Sequence, residues 1–201
     1  MNYLAHAHLS FHDSGVLVGN MISDHVKGKK KFDYPNPIQQ GITLHRIIDT
    51  YTDGHPATNE AKEFFRPHYR LYSGAFVDVI YDHFLALDEE EFPGSRLFDF
   101  SQEVYAGLSD YKQWLPERFG AMLPSMIMHN WLYNYRTMGG IEKSLQGVAY
   151  RAAYIHESHT AFLLFEKHYQ PLRECYRQFW ADAKPYTWKQ YEAIKDTFSA
   201  R

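Results

Sequence analysis

The sequence predicts an all-α fold, an irregular multi-helix bundle, and three observations carry that prediction. Apolar residues recur at helical spacing along most of the chain, as in Val77, Ile80, Tyr81 and Phe84. Sustained apolar–polar alternation, the mark of a half-buried strand, is absent. Start and stop signals punctuate the periodic stretches, with Asn36 before Pro37 and Gly54 past the end of the same run.

The elements follow in order. Tyr3 to Ala7 reads as a short helix with Asn2 as its cap. A second helix covers Val16 to Val26 and ends near Gly28. After the turn at Tyr34-Pro35-Asn36-Pro37, Asn36 caps a helix whose first position is Pro37 and which runs to Tyr51 or Asp53. Pro56 opens the next one, through Phe65. Another spans Gly74 to Leu87, and the acidic run Asp88 to Glu91 forms its solvated boundary. Further helices fall near 96–108, 124–137, 140–156 and 171–182, with short ones over 113–121 and 187–197. Gly139-Gly140 marks a helix–helix connection. Neither a repeat nor a low-complexity linker interrupts the chain, so residues 1–201 read as a single helical domain.

Composition narrows the function classes. Lys and Arg number 21 against 24 Asp and Glu, a formal net charge of -3, which gives no support to a nucleic-acid binder. The single cysteine, Cys175, rules out an internal disulfide framework and fits a reducing compartment. The opening MNYLAHAHLS lacks the basic and apolar regions of a signal peptide, and no stretch approaches the roughly 20 apolar residues a membrane span needs. A cytoplasmic protein without stable membrane insertion is expected. Phosphate-gripping and dinucleotide glycine fingerprints are both missing.

The chemistry concentrates in three segments. His45, Asp49 and Asp53 are four apart and share one face of a predicted helix, opposite Leu44, Ile47, Ile48 and Tyr51. Asp78 and Asp82 lie one turn apart on another helix, with His83 next to them. Asp24 follows Asn20 by one turn, and His6 and His8 lie near the N-terminus. Carboxylates crowded into one pocket must protonate, pair with bases or bind a cation. Imidazole with carboxylate suits first-row divalent metals, and mostly oxygen sets suit magnesium or manganese. Competing readings pair Asp49 and Asp53 with Arg46 or with another arginine or lysine, let Asp24 cap a turn and leave Asp82 facing solvent.

On these residues the chain resembles the acyl carrier protein phosphodiesterases. MNYLAHAHLS, GNMISDHVKG, GITLHRIIDTYTD and DVIYDHFL occur in order, followed by Trp131-Leu132-Tyr133-Asn134-Tyr135. That family is similar to the helical, metal-dependent HD phosphohydrolases. Their adjacent His-Asp pair is not kept here, because Arg46 follows His45 and Asp82 precedes His83. His6 corresponds to their isolated histidine.

The resemblance implies hydrolysis of the phosphodiester between 4'-phosphopantetheine and a serine of holo-acyl carrier protein, with manganese, or magnesium in its place, as cofactor. For that reaction the segments above offer His6, Asp24, His45, Asp49, Asp53, Asp78 and Asp82 as metal ligands. His83 would handle protons and Arg46 would meet a phosphate oxygen. Lys27, Lys29, Lys30 and Lys31 form a basic run suited to a small acidic carrier. The rival expectations are a phosphoesterase acting on nucleotides or small phosphodiesters, and a noncatalytic helical protein that binds the carrier.

Overall fold

The computed structural model describes residues 1–155 and 157–199. Twelve α-helices succeed one another there: α1 (Tyr3–His8), α2 (Ser14–Ile22), α3 (Asn36–Gly54), α4 (Pro56–Glu63), α5 (Arg66–Tyr69), α6 (Ser73–Ala86), α7 (Arg96–Asp110), α8 (Glu117–Met128), α9 (Trp131–Asn134), α10 (Met138–Arg151), α11 (His159–Lys167) and α12 (Tyr169–Ser199). Among the described residues there is no strand. The all-α expectation therefore holds. The expected 140–156 helix ends at Arg151 instead, and His156, at its expected end, lies outside the described residues.

Helix starts follow local chemistry only in part. Asp13 caps α2 by accepting from the Gly15 and Val16 amides, each at 3.1 Å. His55 caps α4, its Nδ1 accepting from the Ala57 amide at 3.2 Å. Thr137 caps α10 at the Gly140 amide. Asn2, expected to cap α1, makes no such bond. Asp82 on α6 takes that role instead, its two oxygens accepting from the Leu4 amide at 2.7 Å and the Ala5 amide at 3.1 Å. Asn36 likewise is no cap: it is already the first residue of α3, and Pro35 precedes it without a side-chain bond.

Other expected boundaries move as well. α2 stops at Ile22 and a 3-10 turn carries Ser23–His25. The expected 124–137 helix is split, because Asn130 takes a left-handed conformation with φ 41. The Tyr105 hydroxyl stabilises that break: it donates to Asn130 Oδ1 at 3.1 Å and accepts from the Leu132 amide at 3.0 Å. The expected pair 171–182 and 187–197 is one helix, α12, with Pro185 inside it. An interior proline removes a backbone bond, yet burial of Phe179, Trp180 and Ala183 before it and Thr187 and Ile194 after it holds α12 in place. Tyr186 also stacks on Tyr51 of α3 at 4.0 Å.

The core is one continuous cluster from Met1 to Ile194. α6 runs through its middle, with every residue from Val79 to Ala86 buried. α2 and α3 cross at Gly19 and Gly41. A Cβ on Gly19 would strike the Ile38 carbonyl oxygen, and one on Gly41 would strike the Val16 carbonyl oxygen. Only hydrogen side chains permit this backbone contact. The crossing brings the end of α2 beside the middle of α3, which is where the site forms.

Candidate metal centre

His6 comes from α1, Asn20 from α2, and His45 and Asp49 from successive turns of α3. The ligand atoms of His6, His45 and Asp49 lie within 4.8 Å of one another. His6 Nε2 is 3.2 Å from Asp49 Oδ1, and His45 Nε2 is 3.0 Å from Asp49 Oδ2. The two imidazoles stack with centroids 3.9 Å apart. Asp24 adds an exposed carboxylate, with Oδ1 3.2 Å from His45 Nε2.

Asn20, fully buried, orients both rings. Its Oδ1 accepts from His6 Nδ1 at 2.8 Å. Its Nδ2 donates to the His6 carbonyl at 2.8 Å and to Ser10 Oγ at 3.1 Å. Its backbone carbonyl accepts from His45 Nδ1 at 2.7 Å. With both Nδ1 atoms committed as donors, both Nε2 atoms point bare lone pairs at carboxylate oxygens. His6 Nε2 is buried without a hydrogen-bond partner. Lone pairs turned on one another call for a proton or a cation between them.

The titration directions agree. Burial and the neighbouring His45 push His6 down to about 4. Burial also disfavours a charged His45, but its bonds to Asp24 and Asp49 prevail and raise it to about 9. Burial works against the Asp49 carboxylate too, yet His45 and His6 hold it well below its ordinary range. Asp24 is lowered by its bond to His45. Without an ion, Asp24 and Asp49 thus favour a charged His45, and burial beside it disfavours a charged His6.

The donors fit a divalent cation. Two ligand atoms at right angles, each about 2.1 Å from one ion, are about 3 Å apart. The 3.0 and 3.2 Å separations match that edge. Two imidazole nitrogens with carboxylate oxygen suit a first-row divalent metal.

The remaining expected residues fall elsewhere. Asp78 sits at the margin, with Oδ1 3.0 Å from the Met1 amine, which is itself 3.8 Å from Asp49 Oδ1. Burial raises Asp78 and the amine opposes it. Asp53 is exposed and paired with Lys62 at 2.8 Å. Asp82 faces neither solvent nor the cluster: it is fully buried under α1, and burial outweighs its amide bonds to raise it to about 7. His83 is walled in, Nδ1 donating to the Tyr135 carbonyl at 2.7 Å and Nε2 3.2 Å from the Tyr169 hydroxyl. Arg46 donates to the Val26 carbonyl at 2.9 Å and so braces the loop after Asp24. Lys27 to Lys31 continue from that loop into the 3-10 segment Gly28–Asp33, with Lys27, Lys29 and Lys30 exposed. Cys175 is buried, and burial raises its thiol to about 11.

Asn20 is the one residue of this site that is absent from the expected ligands. Its spacing from Asp24 drew notice, but its grip on both imidazoles needs α1, α2 and α3 to meet.

This scaffold defines a class: a protein helical throughout its described residues, whose two histidines and an aspartate converge in a cluster that could hold a divalent metal. The family model described as acyl carrier protein phosphodiesterase matches residues 1–183. The chain is 34% identical over 181 residues to an acyl carrier protein phosphodiesterase of Yersinia pestis, covering 90% of this chain and 94% of that one. It is 33% identical to one of Enterobacter sp. (strain 638), covering 90% and 94%, and 30% identical to one of Photorhabdus laumondii, covering 90% and 91%. No solved structure matches. The chain belongs to the acyl carrier protein phosphodiesterase family, and it is an enzyme.

Proposed function

We propose that this chain is a single helical phosphodiesterase domain that hydrolyses holo-acyl carrier protein in the cytoplasm, releasing 4'-phosphopantetheine and the apo carrier. The carrying observation is the convergence of His6 Nε2, His45 Nε2 and Asp49 on one point, with both imidazole tautomers fixed by Asn20. Family membership supports the substrate. The mixed histidine–carboxylate set on helices supports a likeness to the HD phosphohydrolases.

His6, His45 and Asp49 would hold the cation, with Asp24 and Asp78 beside them, and manganese is the ion we infer, with magnesium in its place. When bound, such an ion supplies Lewis-acid polarisation of a phosphoryl oxygen and a lowered pKa for water. Asp24, ionised and solvent-facing, accepts a hydrogen bond from the attacking water and aims it at phosphorus. Asn20 holds both Nδ1–H groups and so keeps both Nε2 atoms turned toward the site. The serine oxygen of the carrier departs with a proton drawn from solvent. His83, enclosed by Tyr135 and Tyr169, is better suited to bracing than to proton transfer. Lys27, Lys29, Lys30 and Lys31 would meet the acidic carrier, with Arg46 holding their loop.

Intact-mass analysis of holo-carrier incubated with the enzyme, with and without manganese, tests substrate, reaction and metal together. The expected result is manganese-dependent conversion to the apo mass by the wild type. D49N should lose at least about 100-fold in rate and most of its bound metal. Cleavage of free nucleotides but not of the carrier would overturn the substrate reading.

A further inference from the structure

A cleft of about 830 Å³ opens between α8, α9 and α10, and Asn2 and Tyr3 form one of its walls. The residue before that wall is Met1, whose amine touches Asp78 and Asp49. The cleft thus begins one residue from the cluster. The phenol of Tyr3 links the two electrostatically: burial raises its pKa, Arg151 of the cleft lowers it, and Asp24 of the cluster raises it. The volume is in the range of roughly 300–1,000 Å³ that holds a small organic ligand.

The lining has a definite chemistry. Among the described residues it contains Lys143 and Arg151 and no carboxylate. Among the described residues neither cation has an ion pair or hydrogen bond. They are eight residues apart on α10, about 12 Å along the helix axis. Between and around them lie neutral polar groups, Asn134 and Ser144 among them, with Trp131 and Met128 as apolar surface. An elongated ligand with an anionic end, internal amides and little other charge matches this sequence of surfaces.

Resting on the function proposed above, we infer that this cleft seats the pantetheine arm of the carrier. Arg151, toward Tyr3, meets a nonbridging phosphate oxygen. Lys143 meets a distal carbonyl of the arm, and Trp131 covers its apolar portion. The carrier protein then stays outside while only its arm enters.

The test separates binding from turnover. Titration calorimetry with free 4'-phosphopantetheine compares the wild type with S144W, which fills the cleft from α10. Hydrolysis of bis(p-nitrophenyl) phosphate, which has no arm, reports on the metal centre alone. S144W is expected to weaken 4'-phosphopantetheine binding at least about tenfold and to leave the small diester's turnover unchanged. G147L fills the same wall, where a Cβ meets only Arg151 Nη1 at 3.5 Å, and serves if S144W does not fold. R151Q should weaken the arm and inorganic phosphate alike. Wild-type affinity for 4'-phosphopantetheine in both filled variants would overturn the inference. Loss of arm binding together with an intact holo-carrier in the mass assay would keep the cleft and reject the proposed reaction.

Discussion

Asn20 shows how one neutral side chain can set which nitrogens a candidate metal site presents. A histidine binds metal through a bare nitrogen, and which nitrogen is bare depends on what the other one donates to. Asn20 settles the choice for His6 through its amide oxygen and for His45 through its backbone carbonyl. Only the first is removed by substitution. N20A should therefore free His6 to rotate or change tautomer while leaving His45 in place, and metal affinity should fall about 10- to 100-fold. Calorimetric manganese titration of the folded variant measures this. Unchanged affinity would mean that His6 is no ligand. N20D makes a sharper comparison: a carboxylate facing Nδ1 still accepts but loses the donor to the His6 carbonyl and to Ser10. It should retain more affinity than N20A.

At the scale of elements, the site depends on how closely α2 approaches α3. G19A places a methyl group on the Ile38 carbonyl oxygen. Overpacking of this kind costs about 1–3 kcal/mol or more, and here the strain must part the two helices that carry Asn20 and His45. Chemical denaturation should show the loss in stability, and the same variant should bind manganese more weakly. Weaker metal binding without lost stability would contradict the coupling. The Gly28–Asp33 segment makes a separate prediction. Replacing Lys27, Lys29, Lys30 and Lys31 with glutamine should raise KM for the carrier at low ionic strength and leave kcat alone, with the gap closing as salt screens the field. A gap independent of salt would remove electrostatic docking from this face. The His45–Asp49 ladder was legible because four-residue spacing on α3 is a local property. Asp82 carried the same spacing from Asp78 but belongs to a buried cap on α1, and nothing local distinguishes a carboxylate aimed at a metal from one aimed at amides 77 and 78 residues away. The break at Asn130 and the continuity through Pro185 were hidden for the same reason: Tyr105 fixes one, and packing of α12 on distant helices fixes the other.

Across the whole molecule, Glu91 is the node where distant parts of the chain are tied. It sits between α6 and α7, yet its oxygens meet His8 Nε2 of α1 at 2.8 Å, Trp180 Nε1 of α12 at 2.8 Å and Lys184 Nζ of α12 at 2.6 Å. In the sequence it belongs to the acidic run Asp88 to Glu91, and by that pattern it cannot be told from Glu89 or Glu90. Burial disfavours the Glu91 carboxylate, but His8, Lys184 and Trp180 outweigh it and lower its pKa from 4.5 to about 2. The sign follows: a carboxylate with a depressed folded pKa stabilises the fold above its unfolded value. That contribution declines as pH falls from 4.5 toward 2. E91Q retains an oxygen for Trp180 but gives up the charge that Lys184 and His8 face, at a cost of about 1–3 kcal/mol near neutral pH. Urea unfolding at a series of pH values should show the variant's deficit narrowing as acid protonates Glu91 in the wild type. A deficit that stays constant down to pH about 2 would mean that the lost stability is packing rather than charge, and that α1 and α12 are not joined through this ion.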